Sequence, residues 1–405
     1  MFWEKRLVSW VNQFKKHSSL PLKIELWNGQ TFHLGDEEAR VTIRFPALGS
    51  LSCLLNPSLD NLGAAYVEGK IQVDGSLKDM IDVANALART SDNAASYRAS
   101  RFRRYFGGFH NRKVDKEAIH YHYDVSNEFY QAWLDPRMVY SCAYFENGDE
   151  DLATAQLKKI DHILTKIRVR PGDRLLDIGC GWGGLVMRAA EKFGANCVGI
   201  TLSENQYQLA KERVKAAGLA DRVEIRIQDY RDITEKFDRI TSVGMFEHVG
   251  LRYLTHYFRI IHDLLADDGI AMNHGITSCD HDSNATPFGG GEFIEKYVFP
   301  HGELPHIGKV LKDMQEGGLE ALDVENLRHH YARTCALWAE NFENSAAKIR
   351  TLTDERRYRI WRVYLAGCAY AFSVDRVSVF QVVCTRSGRT NPLLPMSRRY
   401  MYGTA

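Results

Sequence analysis

From residue 155 onward, short apolar runs alternate with longer segments whose apolar residues recur at helical spacing. Arg174–Ile178, Asn196–Ile200, Val223–Ile227, Arg239–Val243 and Ile270–Asn273 read as strands, and the segments between them as helices. This alternation predicts a doubly wound, mostly parallel α/β sheet, in which ligands bind beyond the carboxyl ends of the strands. Asp177, Thr201, Gln228, Glu247 and His274 fall at those ends, so one edge of an apolar sheet carries a polar residue at each strand.

The N-terminal pattern is different. Ile24–Trp27 and Gln30–Leu34 flank Asn28-Gly29, a strong hairpin signal. Ala39–Phe45 reads as a strand, Ser58–Glu68 as a helix, Lys70–Val73 as extended and Leu77–Arg89 as a helix. Residues 1–95 thus form a small α+β domain without a catalytic constellation. Within it, Trp3, Leu7, Trp10, Val11 and Phe14 recur at helical spacing among Lys5, Arg6, Lys15 and Lys16. Two readings fit this basic amphipathic helix: docking on the domain core, the commoner use, or lying in a membrane interface.

Residues 96–116 carry Arg98, Arg101, Arg103, Arg104, Arg112, Lys113 and Lys116 against the single acid Asp115. Tyr97, Phe102, Tyr105, Phe106 and Phe109 are interleaved. A solvated linker and an anionic-lipid patch both fit. Nucleic acid is disfavoured, because no recognised nucleic-acid fold accompanies the patch. The catalytic domain then occupies residues 117–405.

Composition narrows the field. The 405 residues carry a net charge of +1, so bulk charge selects no partner. The eight cysteines include no C-x-x-C pair, which fits a reducing cytoplasm and argues against structural zinc. His329-His330 has no further ligand at fixed spacing, so no metal is expected. No run reaches the about 20 apolar residues of a spanning helix, so any membrane association is peripheral.

Leu175–Gly184 reads Leu-Leu-Asp-Ile-Gly-Cys-Gly-Trp-Gly-Gly, a strand entering a glycine-dense turn. Such a turn lets the backbone approach a nucleotide-like cofactor. Gly179, Gly181 and Gly184 satisfy the dinucleotide spacing, and Gly179, Gly181 and Gly183 that of S-adenosylmethionine enzymes. A dinucleotide site wants an acid about 20 residues further on. The chain has Gly199-Ile200-Thr201-Leu202-Ser203 there, with no acid before Glu204, which favours S-adenosylmethionine.

Further motifs complete the picture: Gly199–Gln206, Tyr140-Ser141-Cys142-Ala143-Tyr144-Phe145, Met245-Phe246-Glu247-His248-Val249-Gly250, Asn273-His274-Gly275-Ile276, His330-Tyr331-Ala332-Arg333-Thr334 and Gly367-Cys368-Ala369. With them the chain resembles the cyclopropane-fatty-acyl-phospholipid synthase family across nearly all of residues 116–390. Ala65-Tyr66-Val67-Glu68-Gly69 fits its longer bacterial members. The resemblance implies a Rossmann-like methyltransferase fold. It also implies addition of a methylene group, from the methyl of S-adenosylmethionine, across the cis double bond of unsaturated acyl chains in membrane phospholipids. It places Tyr140 and Ser141 over the methionine part of the cofactor. Asp177, Gly179, Cys180, Gly181, Trp182 and Gly183 form the cradle, Thr201, Leu202, Ser203 and Gln206 approach the ribose, and Gln228 and Asp229 the adenine. Some relatives carry a Trp-Glu pair at this last position, where this chain has Gln228-Asp229 and no ring to stack.

The resemblance also implies bound bicarbonate as the base, held by Cys142, Glu247, His274, the backbone of Ile276, and Tyr331. An alkene is a weak, uncharged nucleophile, so the site must hold it near the methyl donor, exclude water and stabilise a carbocation. Bicarbonate both donates and accepts, which suits Glu247 on one side and His274, Tyr331 and backbone N–H groups on the other. Cys368 stands at the family's nominal catalytic cysteine; a thiolate would compete for the methyl group, and a neutral thiol shaping the cavity fits equally well. Phe288–Phe299 reads as ordinary core or as the lining of an acyl tunnel, and His248 receives no role. The expected setting is cytoplasmic, peripheral to the inner membrane, and compatible with a homodimer. The alternatives are a methyl-branched or methylene product on the same fold, a non-catalytic lipid-binding protein and, remotely, a dehydrogenase.

Overall fold

The computed structural model of the chain describes residues 19–35, 38–55, 57–89, 125–280, 291–299 and 303–402, together with 8, 9, 11, 12 and 15. These pack as two compact units. The first takes described residues from Met1–Gly107, Ala285–Pro300 and Ile349–Tyr370, and the second takes the rest.

In the first unit, β1 (Leu22–Leu26) and β3 (Val41–Phe45) run parallel at the centre of a sheet. β2 (Thr31–His33) pairs antiparallel with β1, and β4 (Gln72–Asp74) with β3. Period-two alternation buries Leu22, Ile24 and Leu26 with Val41, Ile43 and Phe45. The turn between β1 and β2 falls at Asn28-Gly29 as expected, with Gly29 at φ 84°. Two helices, α1 (Leu59–Val67) and α2 (Leu77–Arg89), accompany the sheet. The Ser58 hydroxyl caps α1 by accepting the Asn61 N–H at 3.1 Å. Val11 is buried in the same core. Trp3, Lys5, Arg6, Leu7, Trp10, Phe14 and Lys16 lie outside the described residues, as does the whole of 96–116.

Two later stretches of chain join this unit. The Phe293 N–H donates to the Asp60 carboxylate at 2.7 Å, and the Tyr297 hydroxyl to Glu68 at 3.1 Å. Phe293, Tyr297 and Val298 pack with Val67 and Ile360, which is the ordinary-core reading of that aromatic segment. Phe288 lies outside the described residues.

The second unit is built on seven strands in one sheet: β5 (Arg174–Ile178), β6 (Asn196–Thr201), β7 (Val223–Ile227), β8 (Phe237–Val243), β9 (Leu265–Ser278), β10 (Leu319–Asn326) and β11 (Val377–Arg386). Their order is β10-β11-β9-β8-β5-β6-β7. All run parallel except β11, which is antiparallel to both of its neighbours. This is the α/β methyltransferase sheet. The residues of β5 after Arg174 are buried on both faces, as a central parallel strand requires. Leu175, Ile270, Met272 and Val383 pack under α3 (Leu152–Lys166) and α4 (Gly184–Phe193). Leu176, Ile178, Ile240 and Ala271 pack on the other face, under α6 (Leu254–Leu264) and α7 (Ile307–Glu316). Between β6 and β7 runs α5 (Glu204–Ala216), and α8 (Arg328–Asn344) follows β10. Among the described residues no helix is long and apolar enough to cross a membrane.

Candidate active site

The strand order reverses direction at β5, and the glycine turn leaves the sheet at that switch point. Gly179, Gly181 and Gly183 hold φ of 82°, 55° and 81°, a region that side chains with a Cβ rarely enter. The N–H groups of Gly179 and Cys180 both donate to the Ile200 carbonyl, at 3.0 and 2.9 Å, and so tie the turn to β6. A Cβ on Gly199 would meet Cys180 at 3.0 Å and Ile225 at 3.2 Å, whereas one on Gly181 would meet nothing within 4 Å. The turn is therefore packed behind and open in front. The open side is a cavity lined by Tyr140, Ser141, Asp177, Gly179, Cys180, Gly181, Trp182, Thr201, Leu202, Gln206, Gln228 and Asp229. Of the residues expected at the cofactor, Gly183 and Ser203 do not line it. Gly183 starts α4, and the Ser203 hydroxyl caps α5 by accepting the Gln206 N–H at 3.4 Å.

The polar lining is held from within. Asp177 is buried, accepts the Thr241 hydroxyl at 2.7 Å, and is pushed up to about 6 by burial, against the pull of Thr241 and Lys159. The Thr201 hydroxyl donates to Gln206 Oε1 at 2.8 Å and accepts the Ser203 N–H at 3.1 Å, which fixes the end of β6. Arg231 grips Asp229 in a fork, Nε to Oδ1 at 2.9 Å and Nη2 to Oδ2 at 2.7 Å. A cavity with backbone on one wall and both signs of charge on the others fits a nucleoside that carries an amino acid.

A second cluster adjoins this cavity. Met245 and His248 line the cavity, and Glu247 between them does not; Tyr140 and Ser141 line it, and the neighbouring Cys142 does not. Glu247 is buried and accepts the Ile276 N–H through Oε1 at 2.7 Å. His274 stands two residues back on β9. The strand does not end there, because β11 continues the pairing to Ser278. The Cys142 thiol lies 3.7 Å from the Leu327 carbonyl, and the Leu327 N–H donates to Val379, which pairs with Ile276. Tyr331 is one helical turn beyond Leu327. Cys142, Glu247, His274, Ile276 and Tyr331 are thus linked through a few backbone contacts. Rings run in contact from Tyr140 through Trp338 and Tyr331 to Phe372, with centroids 5.2, 5.8 and 4.4 Å apart.

Burial sets the charge state of this cluster. It pushes Glu247 up to about 7, against the Ile276 hydrogen bond. Burial, reinforced by Lys159 and Lys166, drives His274 well below its ordinary value and keeps the ring neutral. Glu247 Oε2 and both ring nitrogens of His274 are buried without a hydrogen-bond partner among the described residues. Such atoms are costly unless a ligand satisfies them. An acceptor oxygen together with a neutral ring fits a small anion that carries its own hydroxyl. Cys368 belongs to the first unit, half-buried on the helix Glu355–Ser373, and burial raises its thiol to about 12, so it is neutral.

Residues 110–382 match the mycolic acid cyclopropane synthetase family, and residues 9–95 match a domain of unknown function. The chain belongs to the cyclopropane synthetase family. It is an S-adenosylmethionine-dependent methyltransferase of that family. Over 393 residues it is 44% identical to a probable fatty acid methyltransferase of Pseudomonas putida, covering 95% of this chain and 96% of the relative. It is 39% identical over 265 residues to the cyclopropane-fatty-acyl-phospholipid synthase of Escherichia coli, covering 65% of this chain and 66% of that one. Mycolic acid cyclopropane synthase CmaA1, solved with SAH and CTAB, superposes with a TM-score of 0.64 at 35% identity, over 67% of this chain and 98% of that one.

Within this methyltransferase the sequence pattern left several residues unread. Arg231, which fixes Asp229, looks like any loop arginine in the sequence. Gln156 and Lys159 of α3 reach Ser141 from the buried side of their helix: Gln156 Nε2 donates to the Ser141 carbonyl at 2.8 Å and Lys159 Nζ to its hydroxyl at 2.7 Å. The available signal was polar residues in register with the apolar stripe Ile160, Ile163 and Ile167.

Proposed function

We propose that this methyltransferase alkylates the cis double bond of an unsaturated acyl chain of a membrane phospholipid, and that the alkylated chain then loses a proton to give a cyclopropane. The supporting observation is adjacency. Two loops, 139–142 and 243–249, each give residues to the cofactor cavity and a residue to the buried Glu247–His274 cluster.

S-Adenosylmethionine, held by Tyr140, Ser141, the glycine turn, Thr201, Leu202, Gln206, Gln228 and Asp229, supplies an electrophilic methyl group. The buried walls exclude water, so that the weakly nucleophilic alkene is the group presented to it. The π-faces of Tyr140, Trp338, Tyr331 and Phe372 and the negative field of Glu247 favour a developing carbocation. Bicarbonate fits the second cluster: Glu247 Oε2 would accept its hydroxyl, His274, Tyr331 and Cys142 would donate to its oxygens, and it would supply a proton acceptor there. With Glu247 ionised and His274 neutral, this part of the site is anionic, and the proton leaves toward it.

A second reading has one observation in its favour. The Pseudomonas putida relative, which matches over nearly its full length, is named a probable fatty acid methyltransferase. The same cation would then undergo a hydride shift onto the neighbouring carbon; loss of a proton from the transferred methyl leaves a methylene chain, and loss of one from the acyl chain leaves an unsaturated methyl-branched chain. The basic segment 96–116 is offered as the peripheral membrane contact.

The test is incubation with methyl-labelled S-adenosylmethionine and vesicles of unsaturated phosphatidylglycerol. Label is expected in the acyl chains. Cofactor binding without any labelled lipid would overturn the reading.

A further inference from the structure

The inward face of α3 is an apolar stripe interrupted by four buried polar residues, Gln156, Lys159, His162 and Lys166. Lys159 is 1% exposed. Among the described residues its ammonium makes one hydrogen bond, to Ser141 Oγ at 2.7 Å, and no ion pair. Lys166, on the same helix and equally buried, shows the contrast: its ammonium sits 2.5 Å from Glu325 and 3.3 Å from Asp323. Asp135 and Asp177 act on Lys159 only at longer range; a buried cation with no carboxylate in contact is costly, and an ammonium has three protons to place. Lys159 also lines the cofactor cavity, beside Ser141. Asp177 lines the same cavity, buried, with the neutral Thr241 hydroxyl as its hydrogen-bond partner.

We propose that Lys159 is the counter-ion for the α-carboxylate of the cofactor's methionine moiety, acting with the Ser141 hydroxyl. The cavity thereby prefers a ligand that carries this carboxylate. Burial pushes the Lys159 ammonium down to about 8, against the longer-range pull of Cys142, Asp135 and Asp177. A carboxylate brought into contact by the ligand restores the ammonium, so it contributes binding that a ligand without it lacks. Gln156 holds the Val139 and Ser141 carbonyls at 3.2 and 2.8 Å and so keeps the Ser141 strap against the ammonium. The assignment concerns cofactor binding alone and stands apart from the acyl chemistry.

The test is calorimetric binding of two ligands to the full chain. One is S-adenosylhomocysteine. The other is its decarboxylated analogue, which keeps the sulfur, nucleoside and ammonium. Native protein is expected to prefer the carboxylate-bearing ligand by about 10- to 100-fold, the worth of hydrogen bonds to a charged group. Lys159→Met and Lys159→Gln, whichever folds by thermal melt, are expected to lose that preference while keeping or improving affinity for the decarboxylated analogue. Lys159→Arg should retain it. Equal weakening toward both ligands would make Lys159 merely structural and overturn the assignment, as would an undiminished preference in a folded neutral variant.

Discussion

The carboxylate of Glu247 accepts the backbone N–H of Ile276 at 2.7 Å. This one bond clamps the turn after β8 to the far half of β9, beyond His274, and leaves the second carboxylate oxygen buried and unpartnered. Replacing Glu247 by Ala removes the acceptor while leaving the cofactor cavity lined as before. Lipid turnover should fall by about 10²- to 10³-fold, the usual cost of one preorganised electrostatic partner. Calorimetry with S-adenosylhomocysteine should show near-native affinity; loss of that affinity would mean that Glu247 supports the cavity instead.

Burial raises Glu247 to about 7, so its carboxylate is ionised above that pH and neutral below it. Activity should therefore rise with pH and reach a plateau above about pH 7, read from the rate of lipid labelling at saturating cofactor. The linkage has the opposite sign for stability. A carboxyl raised on folding contributes most below its unfolded value, and that contribution is lost as pH rises through about 7. Glu247→Gln should thus inactivate the enzyme yet stabilise it at pH 8 by about 1–3 kcal/mol, seen as a higher Tm. An unchanged or lower Tm at pH 8 would contradict the buried-charge account.

Gly275 has no room for a methyl group, because a Cβ there would lie 1.8 Å from the Phe246 ring. Phe246 precedes Glu247, so the substitution reaches the carboxylate through packing. Gly275→Ala should cost about 1–3 kcal/mol by overpacking and lower activity with it. Adding Phe246→Leu should recover part of the stability, and denaturant unfolding of the single and double variants measures that coupling.

The α/β sheet was legible because its central strands β5, β6 and β8 are buried on both faces and its cradle needs glycines at positive φ. β5 and β7 begin and end where the sequence pattern predicts. β9 runs on to Ser278, and β10 and β11 were not foreseen, because antiparallel pairing at that side of the sheet joins residues from about 50 to about 115 positions apart and leaves no local signal. This is also why His274 was placed at a strand end rather than within one. Gly183 and Ser203 belong to motifs that suggest ligand contact, but their geometry is that of helix starts. Lys159 was hidden for the opposite reason, since a lysine on a helix is ordinarily solvated and only packing shows which side it faces.

The central claim is that the acyl chain, once alkylated, gives up a proton from the transferred methyl group. S-Adenosylmethionine bearing a trideuterated methyl, supplied with unsaturated phospholipid vesicles, tests it directly by mass spectrometry and deuterium NMR of the acyl products. The account predicts chains that retain two of the three deuterons on a cyclopropane carbon. Chains that retain all three on a methyl branch would contradict it.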